Sequence, residues 1–340
     1  MDHVYGRAYS PMVRCIGREY TPNRSAHVAL LVVDGRLTWS PDVVEAMYWS
    51  FNSKIDQVWA RDDSAPAFDI DEGEWNRAAR ADLVDAGAAP DWVSAFASKV
   101  RTSGNMFGLE ENTSFTAQAE VLYVLDEVTR ARAPEIGSSV QSLLDSAALH
   151  FATLEKGTDG WGLYDLGYWE LAEESAKAFA GYIEESGAST VVANNSAVVY
   201  SLREWYPRLG LALTAQVVHH TEYFDQLGLS GALRGKATYH DSSYLARYLG
   251  VTDAPRNLLK NAGLELAECY FSGQKANPTG PLYGFFDDEY SRMVALKRAQ
   301  ELAVAAPLVV VSDPSSKWNL SAVGGDAGIE VQDIAEVLSG

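Results

Sequence analysis

Carboxylate side chains are the groups in this sequence whose type and placement could do chemistry most directly. Asp56, Asp126, Asp159 and Asp313 each lie in or beside a polar turn between apolar segments. Carboxylate oxygens are hard ligands that suit Mg²⁺ or Ca²⁺. A cation site also needs a ligand number and geometry that spacing alone does not show. We therefore favour the ordinary interpretation, in which these aspartates line solvated pockets, and we expect no bound metal.

A group of histidines offers a second kind of chemistry. His219 and His220 follow one apolar run, and His240 with Asp241 follows another. Imidazole can ligate a metal or titrate near neutral pH. A histidine at the end of a buried strand more often makes a structural hydrogen bond, and this is the role we favour. We expect His240 and Asp241 to be the better candidates for lining a pocket.

Several classes of function are excluded or disfavoured by composition. The net charge of −19 opposes binding to nucleic acid phosphates. The sequence has no G-x-G-x-x-G after a strand, no phosphate-binding P-loop and no G-x-S-x-G elbow. Its two cysteines, Cys15 and Cys269, cannot supply the four thiolates of an iron–sulfur cluster. The N-terminus lacks the apolar core of a signal peptide, and no apolar run is long enough to span a membrane. We expect a cytoplasmic protein.

Two regions with different sequence patterns must position these residues. The first ~115 residues have mostly helical patterns. The dipeptide Ser40-Pro41 predicts a helix start, and further helices are predicted at 72–86 and 90–100. A short strand is predicted at 27–33.

After residue 119, short apolar runs alternate with amphipathic segments. Predicted strands lie at 119–125, 150–154, 190–193, 215–219, 236–239, 264–269 and 308–311, and predicted helices at 135–147, 169–185, 197–205, 255–261 and 289–305. This alternation is typical of an α/β unit with largely parallel strands. The order of elements occurs twice, with a break near residues 231–235.

Three cysteine-free segments resemble a known family. TYHDSSYLARYLGVTDAPRNLL at 238–259, VVHHTEYF at 217–224 and GNMFGLEE at 104–111 are similar to stretches of the heterodisulfide-reductase-like iron–sulfur oxidoreductases. That family includes the iron–sulfur subunits of glycolate, lactate and glycerol-3-phosphate oxidation. Its pattern around the first segment is close to H-D-P-C-Y-L-G-R-Y, and its cysteine falls on Ser243.

Every cysteine position implied by this resemblance carries another residue type. Four of these positions lie between residues 50 and 60 and keep the C-x2-C-x2-C-x3-C spacing of a ferredoxin-type loop. Two further pairs of positions match the cysteines of C-P-x-C turns, at 195–198 and 313–316. We call them the vacated positions: Ser50, Ser53, Asp56, Ala60, Asp126, Thr158, Asp159, Asn195, Val198, Ser243, Phe271, Ser272, Asp313 and Ser316.

The resemblance implies an α/β fold with three parts. A mostly helical, degenerate ferredoxin-like region at 1–117 precedes a duplicated cysteine-rich-type module at 118–235 and 236–340. Without thiolates the chain should keep the fold and bind no cofactor.

The function this implies is that of a cluster-less structural subunit of an electron-transfer oxidoreductase. Its partner would be a flavoprotein dehydrogenase or a cluster-bearing paralogue. The alternative is an enzyme or ligand-binding protein that reuses the emptied pocket through its His and Asp residues.

Aromatic residues in the N-terminal third indicate where such a partner could bind. Tyr48, Trp49, Phe51, Trp59 and Trp75 lie in and around the degenerate loop. Aromatic side chains are frequent interface anchors, and packing onto the α/β part is an equally ordinary use for them.

Overall fold

The N-terminal third is a group of helices with its own small core. The computed structural model describes residues 22–55, 57–58, 71–112, 119–281 and 289–340. The helices here are α1 Pro22–Val33, α2 Pro41–Tyr48, α3 Glu72–Asp85 and α4 Asp91–Ser103. Both α1 and α2 pack against α3. Met47, Leu83 and Val93 are fully buried between them.

The strand predicted at 27–33 is wrong, because these residues belong to helix α1. Valine and leucine favour strands only where a sheet can receive them, and here the neighbours are helices. Ser25 and Ala29, one helical turn apart, are both buried, and Ser25 Oγ donates to Ala46 O at 3.0 Å. The other predicted helices of this region are confirmed. Helix α2 begins with Pro41 after Ser40, although the Ser40 side chain makes no capping bond.

The remainder is α/β, with two four-stranded parallel sheets. The strands are β1 Val121–Val124, β2 Phe151–Leu154, β3 Thr190–Ala193, β4 Gln216–His219, β5 Lys236–Tyr239, β6 Glu265–Leu266, β7 Leu308–Val311 and β8 Glu330–Asp333. The first sheet has the order β2-β1-β3-β4, and the second has β6-β5-β7-β8. The two orders are equivalent. The strand predicted at 264–269 is shorter than expected, since only Glu265 and Leu266 pair with β5.

Helices connect these strands. They are α5 Glu127–Arg132, α6 Pro134–Ser146, α7 Trp161–Leu166, α8 Trp169–Ser186, α9 Ser196–Tyr200, α10 His220–Gln226, α11 Asp253–Asn261, α12 Glu289–Ala303, α13 Pro314–Ser321, α14 Gly324–Ala327 and α15 Ile334–Ser339. A wide helical turn at Ser201–Trp205 follows α9 and leads into a single helical turn at Tyr206–Arg208, and another wide turn at Tyr244–Tyr248 precedes α11. None of the helices described is long and apolar enough to cross a membrane.

One apolar core lies between the two sheets. Alternate residues of a strand point to opposite faces, so Val121 and Tyr123 of β1 face this core while Leu122 and Val124 face another. Helices that follow strands of the two sheets also contact each other. Helix α6, which comes after β1, contacts the terminal helix α15, and α10, which comes after β4, contacts α11. Shared burial therefore couples the two sheets. The boundaries 118–235 and 236–340 stay a prediction.

Candidate functional site

Parallel topology explains where the vacated positions of the α/β part lie. In each sheet the second strand in sequence pairs on one side of the first strand, and the third strand pairs on its other side. This reversal opens a crevice at the carboxyl ends of the strands. Asp126 follows β1 and Asn195 follows β3, at the crevice of the first sheet. Ser243 follows β5 and Asp313 follows β7, at that of the second. Residues far apart in sequence thus reach two pockets.

The first pocket has a volume of about 290 Å³ with its open mouth included, and its lining includes Asp126, Thr158, Asp159 and Val198, four of the vacated positions, together with Glu127. It is the pocket of the first sheet. All five side chains are buried. The pocket therefore combines three carboxyl groups and one hydroxyl group with apolar side chains such as Leu154 and Phe179.

Asp126 is held by hydrogen bonds from its own surroundings. Its carboxylate caps helix α5 by accepting from the backbone N–H groups of Val128 at 3.0 Å and Thr129 at 3.3 Å. The Thr129 hydroxyl also donates to it, and Asn195 Nδ2 donates at 2.9 Å. Burial raises the pKa of Asp126, and these donors oppose that rise. Two vacated positions, Asp126 and Asn195, are thus bound directly to each other.

Two further carboxyl groups of this pocket are less well satisfied. Glu127 Oε2 accepts from the backbone N–H of Met106, whereas Glu127 Oε1 and Asp159 Oδ2 are buried without a hydrogen-bond partner among the described residues. Burial raises the pKa of Glu127 to about 8 and that of Asp159 to about 7. An uncompensated buried carboxylate is costly, so near neutral pH Glu127 is mostly protonated and Asp159 is partly protonated.

The second pocket has a volume of about 400 Å³, its mouth included, and brings together the N-terminal region and the second sheet. Ser53, His240, Ser243, Asp313 and Ser316 all line it. Asp313 caps helix α13 through the backbone N–H groups of Ser315 at 3.1 Å and Ser316 at 3.2 Å. Burial raises its pKa. The pocket is rich in hydroxyl groups.

Ser196, a residue not singled out in the sequence, joins the two closing turns. Its hydroxyl donates to Asp313 Oδ2 at 2.5 Å and lies 3.0 Å from Ser242 Oγ. Its backbone N–H also points to Asp313, at 3.3 Å. The turn at 195–198 and the turn at 313–316 therefore touch. Asp313 and Ser243 share the second pocket, whereas Asp126 and Asp159 lie in the first.

His240 and Asp241 separate from one another. Arg298 Nε donates to His240 Nδ1 at 3.3 Å, and burial with that guanidinium lowers the pKa of His240 well below its ordinary value. The imidazole is therefore neutral, and its proton is on Nε2. The Asp241 carboxylate instead pairs with Arg256, accepting from Nη1 at 2.7 Å and from Nη2 at 2.8 Å. His240, but not Asp241, lines the second pocket.

The other two histidines have structural surroundings. His219 caps α10, with Nδ1 2.7 Å from Thr221 Oγ1, and burial lowers its pKa. His220 Nε2 lies 3.5 Å from Asp333 Oδ1, and both side chains are fully buried. Burial lowers the pKa of His220 to about 3 and raises that of Asp333 to about 8, so we regard the pair as neutral at pH 7. Neither imidazole lines the second pocket.

Phe271 and Ser272 lie in a turn beside the second pocket, not among its lining residues. The Phe271 carbonyl accepts from Arg298 Nη2 at 3.0 Å. Ser272 precedes a single turn of 3₁₀ helix, whose Gly273 N–H donates to Asp241. This turn is held by the same arginine that orients His240.

The loop of the N-terminal region is fastened to the α/β part by polar contacts. Arg247 donates through Nε to the carbonyl of Ser53, through Nη2 to Ser243 Oγ, and through Nη1 to Ala276 O at 2.7 Å. Ser53 and Ser243, vacated positions from different regions, are thereby bridged by one guanidinium. Asp56 and Ala60 lie outside the described residues.

A second polar network, missed by sequence reasoning, lies beneath this loop. Asp165 accepts from Arg77 Nε at 2.8 Å, Arg80 Nη1 at 2.9 Å and Asn52 Nδ2 at 2.9 Å. Ser50, another vacated position, accepts from Asn76 Nδ2 at 2.9 Å. All these side chains are buried. Asp165 and Arg80 are 85 residues apart in sequence, so no local pattern could reveal the pair.

The predicted interface aromatics mostly pack inside the molecule. Trp49 stacks on Tyr290 at 4.3 Å between ring centroids, and Phe51 lies 6.1 Å from the same ring. Tyr48 is buried, and Trp75 is 40% exposed. Trp59 is outside the described residues. Packing onto the α/β part is therefore the observed use of Trp49 and Phe51.

The arrangement does not fit an iron–sulfur cluster or a resident metal. The donors at the described vacated positions are carboxyl, amide and hydroxyl groups or none, whereas a cluster needs thiolates. Cys269 is buried, with Arg298 Nη1 3.6 Å from its sulfur. Within the described ranges no three His, Cys, Asp or Glu residues are arranged to hold a metal ion.

Comparison with known proteins agrees with an oxidoreductase-like origin. The chain is similar to the probable iron-sulfur-binding oxidoreductase FadF of Bacillus subtilis, with 28% identity over 196 residues, covering 53% of the chain and 27% of that protein. It is 31% identical over 240 residues to the EtfAB:quinone oxidoreductase of Syntrophomonas wolfei, covering 61% of the chain and 32% of that protein. It is 28% identical over 230 residues to lactate utilization protein A of Lysinibacillus sphaericus, covering 60% of the chain and 96% of that protein.

These similarities support an iron–sulfur-oxidoreductase-like family for the sequence. The match spans 27% and 32% of the length of the first two relatives. No family model matches the chain. Among solved structures, an aspartate racemase homologue from Pyrococcus horikoshii is similar at 12% identity and a TM-score of 0.29, which is too low to bear on fold or function.

Proposed function

We propose that this chain is a cluster-less, non-catalytic structural subunit of a larger electron-transfer oxidoreductase. One observation carries the proposal: vacated positions are bonded to protein groups, as Asp126 is to Asn195, Asp313 to Ser196 and Ser243 to Arg247. Side chains that are hydrogen-bonded to one another stabilise a fold. They do not present a set of free ligands that converges on one point. The relatives with oxidoreductase names support the assignment to an electron-transfer system.

The finer features of the proposal follow the same origin. Residues 1–117 would be a degenerate ferredoxin-like region, and the two sheets a duplicated cysteine-rich-type module. The partner would be a flavoprotein dehydrogenase or a cluster-bearing paralogue, in the cytoplasm. Contacts such as those of Arg247 hold the N-terminal loop against the second sheet, so one rigid surface could be offered to that partner.

We expect the chain purified anaerobically to be colourless, because two cysteines cannot bind a four-thiolate cluster. Iron determination and visible absorption provide the measurement, with a cluster-bearing relative handled in parallel as the positive control. Broad visible absorption together with stoichiometric iron would overturn the cluster-less assignment.

The partner is tested by isolating the untagged chain from its native cells and identifying the proteins that co-elute. The proposal expects an oxidoreductase subunit at constant stoichiometry through gel filtration. A chain that elutes alone at every step, with no such subunit bound, would contradict the structural-subunit role.

A second function is favoured by His240 alone. Its Nδ1 accepts from Arg298, which leaves a neutral ring with a donor at Nε2 on a side chain lining the second pocket. Such a pocket could hold a small hydroxylated acid. Lactate would then raise the melting temperature of the isolated chain, and His240→Ala would abolish that rise. If lactate is also turned over, the non-catalytic proposal is wrong.

A further inference from the structure

An aromatic groove lies on the N-terminal helices, separate from both pockets described above. It lies between α2 and the turn that precedes α4, and its volume is about 840 Å³ with the open mouth included. Trp39, Trp49, Trp92 and Tyr48 contribute its aromatic walls, and Glu45 is the one charged residue among the described residues that line it. Trp39 and Trp92 were not singled out by the sequence.

The groove carries negative charge that is not neutralised by the described part of the chain. Glu45 is half-buried, and no described cation lies within ion-pair distance of its carboxylate. Asp42 and Asp91, in the first turns of α2 and α4, are exposed beside it and are likewise unpaired among the described residues. The indole N–H of Trp39 has no hydrogen-bond partner within the same ranges. A complementary ligand would therefore be positively charged.

Aromatic faces beside a carboxylate suit one chemical class in particular. A guanidinium or ammonium group is attracted to the face of an indole, and it can pair with a carboxylate at the same time. Protein interfaces are enriched in tryptophan, tyrosine and arginine. The chain as a whole has a net charge of −19, which also favours a basic partner.

Two apolar side chains are exposed in the segment that precedes Trp39, next to the charged residues Asp34 and Arg36. Val33 at the end of α1 is 74% exposed, and Leu37, two residues before Trp39, is 38% exposed. An extended segment of protein could cover these side chains as well as the groove. This argues for a macromolecular partner over a small cation.

We infer that the groove docks an arginine- or lysine-bearing segment of the oxidoreductase subunit with which the chain assembles. Glu45 pairs with the cation, and the indole of Trp39 covers one of its faces. The inference rests on the proposed function, because it names the chemistry of that partner. It adds the place of contact and the charge of the contacting segment.

The complex tests this inference with a matched pair of variants. Glu45→Lys should weaken the affinity of the chain for its co-purified subunit at least about 10-fold, since it opposes a close charge pair. Glu174→Lys, on an exposed face of α8, makes the same change in net charge away from the groove and should leave the affinity unchanged. Equal affinities for wild type and Glu45→Lys, with the complex intact, would overturn the inference and leave the proposed function standing.

A small probe tests the groove without the partner. Arginine amide, acetylated at Nα so that the guanidinium is its only charge, should shift the indole N–H resonance of Trp39 in NMR spectra, whereas Nα-acetylcitrulline amide, its uncharged analogue, should not. Glu45→Lys should remove the shift, and Trp39→Phe identifies the resonance. Equal shifts from both amides, or none from either, would contradict a cation site. If arginine amide binds only after deletion of residues 1–21, the occupant is the chain's own segment and the partner assignment is wrong.

Failure of the proposed function has a different signature. If no oxidoreductase subunit co-purifies, that function and the docking role fall together, even if arginine amide binds at Glu45. If the subunit co-purifies and arginine amide does not bind, the groove inference alone is lost.

Discussion

Asp165→Asn should lower the free energy of unfolding by about 3 kcal/mol or more. Asp165 is the buried anion shared by Arg77 and Arg80, whose side chains are 0% and 2% exposed. An amide keeps the size of the side chain and removes the charge, so two buried guanidinium groups lose their counter-ion. We expect the N-terminal helices to loosen from α7 first, because this network joins them.

Urea unfolding followed by circular dichroism measures this change. Asp82→Asn, on an exposed position of the same helix as Arg77 and Arg80, is the matched control and should change stability by less than about 0.5 kcal/mol. A similarly small effect of Asp165→Asn would show that the network does not stabilise the fold.

The same residue predicts a dependence on acid. Burial alone would raise the pKa of Asp165, but Arg80 and Arg77 outweigh it, and the net pKa is lowered. Its stabilising contribution is therefore present above the ordinary aspartate pKa and is lost as the pH falls through the lowered value. Asp165→Asn should lack this acid-dependent loss.

Glu127→Gln should make the protein more stable than wild type at pH 9, by about 2 kcal/mol or more, and similar to wild type at pH 4. Burial raises the pKa of Glu127 to about 8, above its ordinary 4.5. The folded state thus binds a proton that the unfolded state releases between those values. Stability from this group is full below the ordinary pKa and is lost as the pH rises through about 8.

Glutamine imitates the protonated carboxyl group and cannot ionise, so the variant should lose less stability across this range. Unfolding free energies at pH 4, 7 and 9 provide the measurement. Glu174→Gln, exposed on α8, serves as the control and should follow wild type at every pH. Parallel pH profiles for wild type and Glu127→Gln would show that Glu127 ionises normally in the folded protein.

Asp159 and Asp333 should change the free energy of unfolding with pH in the same direction as Glu127. Burial raises their pKa values to about 7 and about 8. These three groups should therefore lower wild-type stability as the pH rises from about 6.5 to 8, and Glu127→Gln should remove part of that decline. Below the ordinary histidine pKa of 6.5, the buried His219, His220 and His240 act in the opposite direction, because burial lowers their pKa values.

Amino-acid patterns were enough to predict the α/β alternation and the region of the candidate site. Strands β3, β5 and β7 match their predicted bounds, and β3 and β7 are mostly β-branched runs that end at polar residues. Parallel strands end at one edge of a sheet, so residues that follow β5 and β7 were bound to meet. Ser243 and Asp313 do line one pocket.

The pairing of the polar groups is visible in the folded structure alone. Asp241 faces Arg256 rather than His240, Ser196 reaches Asp313 across 117 positions, and Asp165 holds two arginines of a distant helix. It also placed residues 27–33 in a helix and turned Trp49 and Phe51 inward. Local patterns report propensity and burial, whereas these contacts depend on which surfaces meet after folding. That choice is made by burial summed over the whole chain, which no short segment contains.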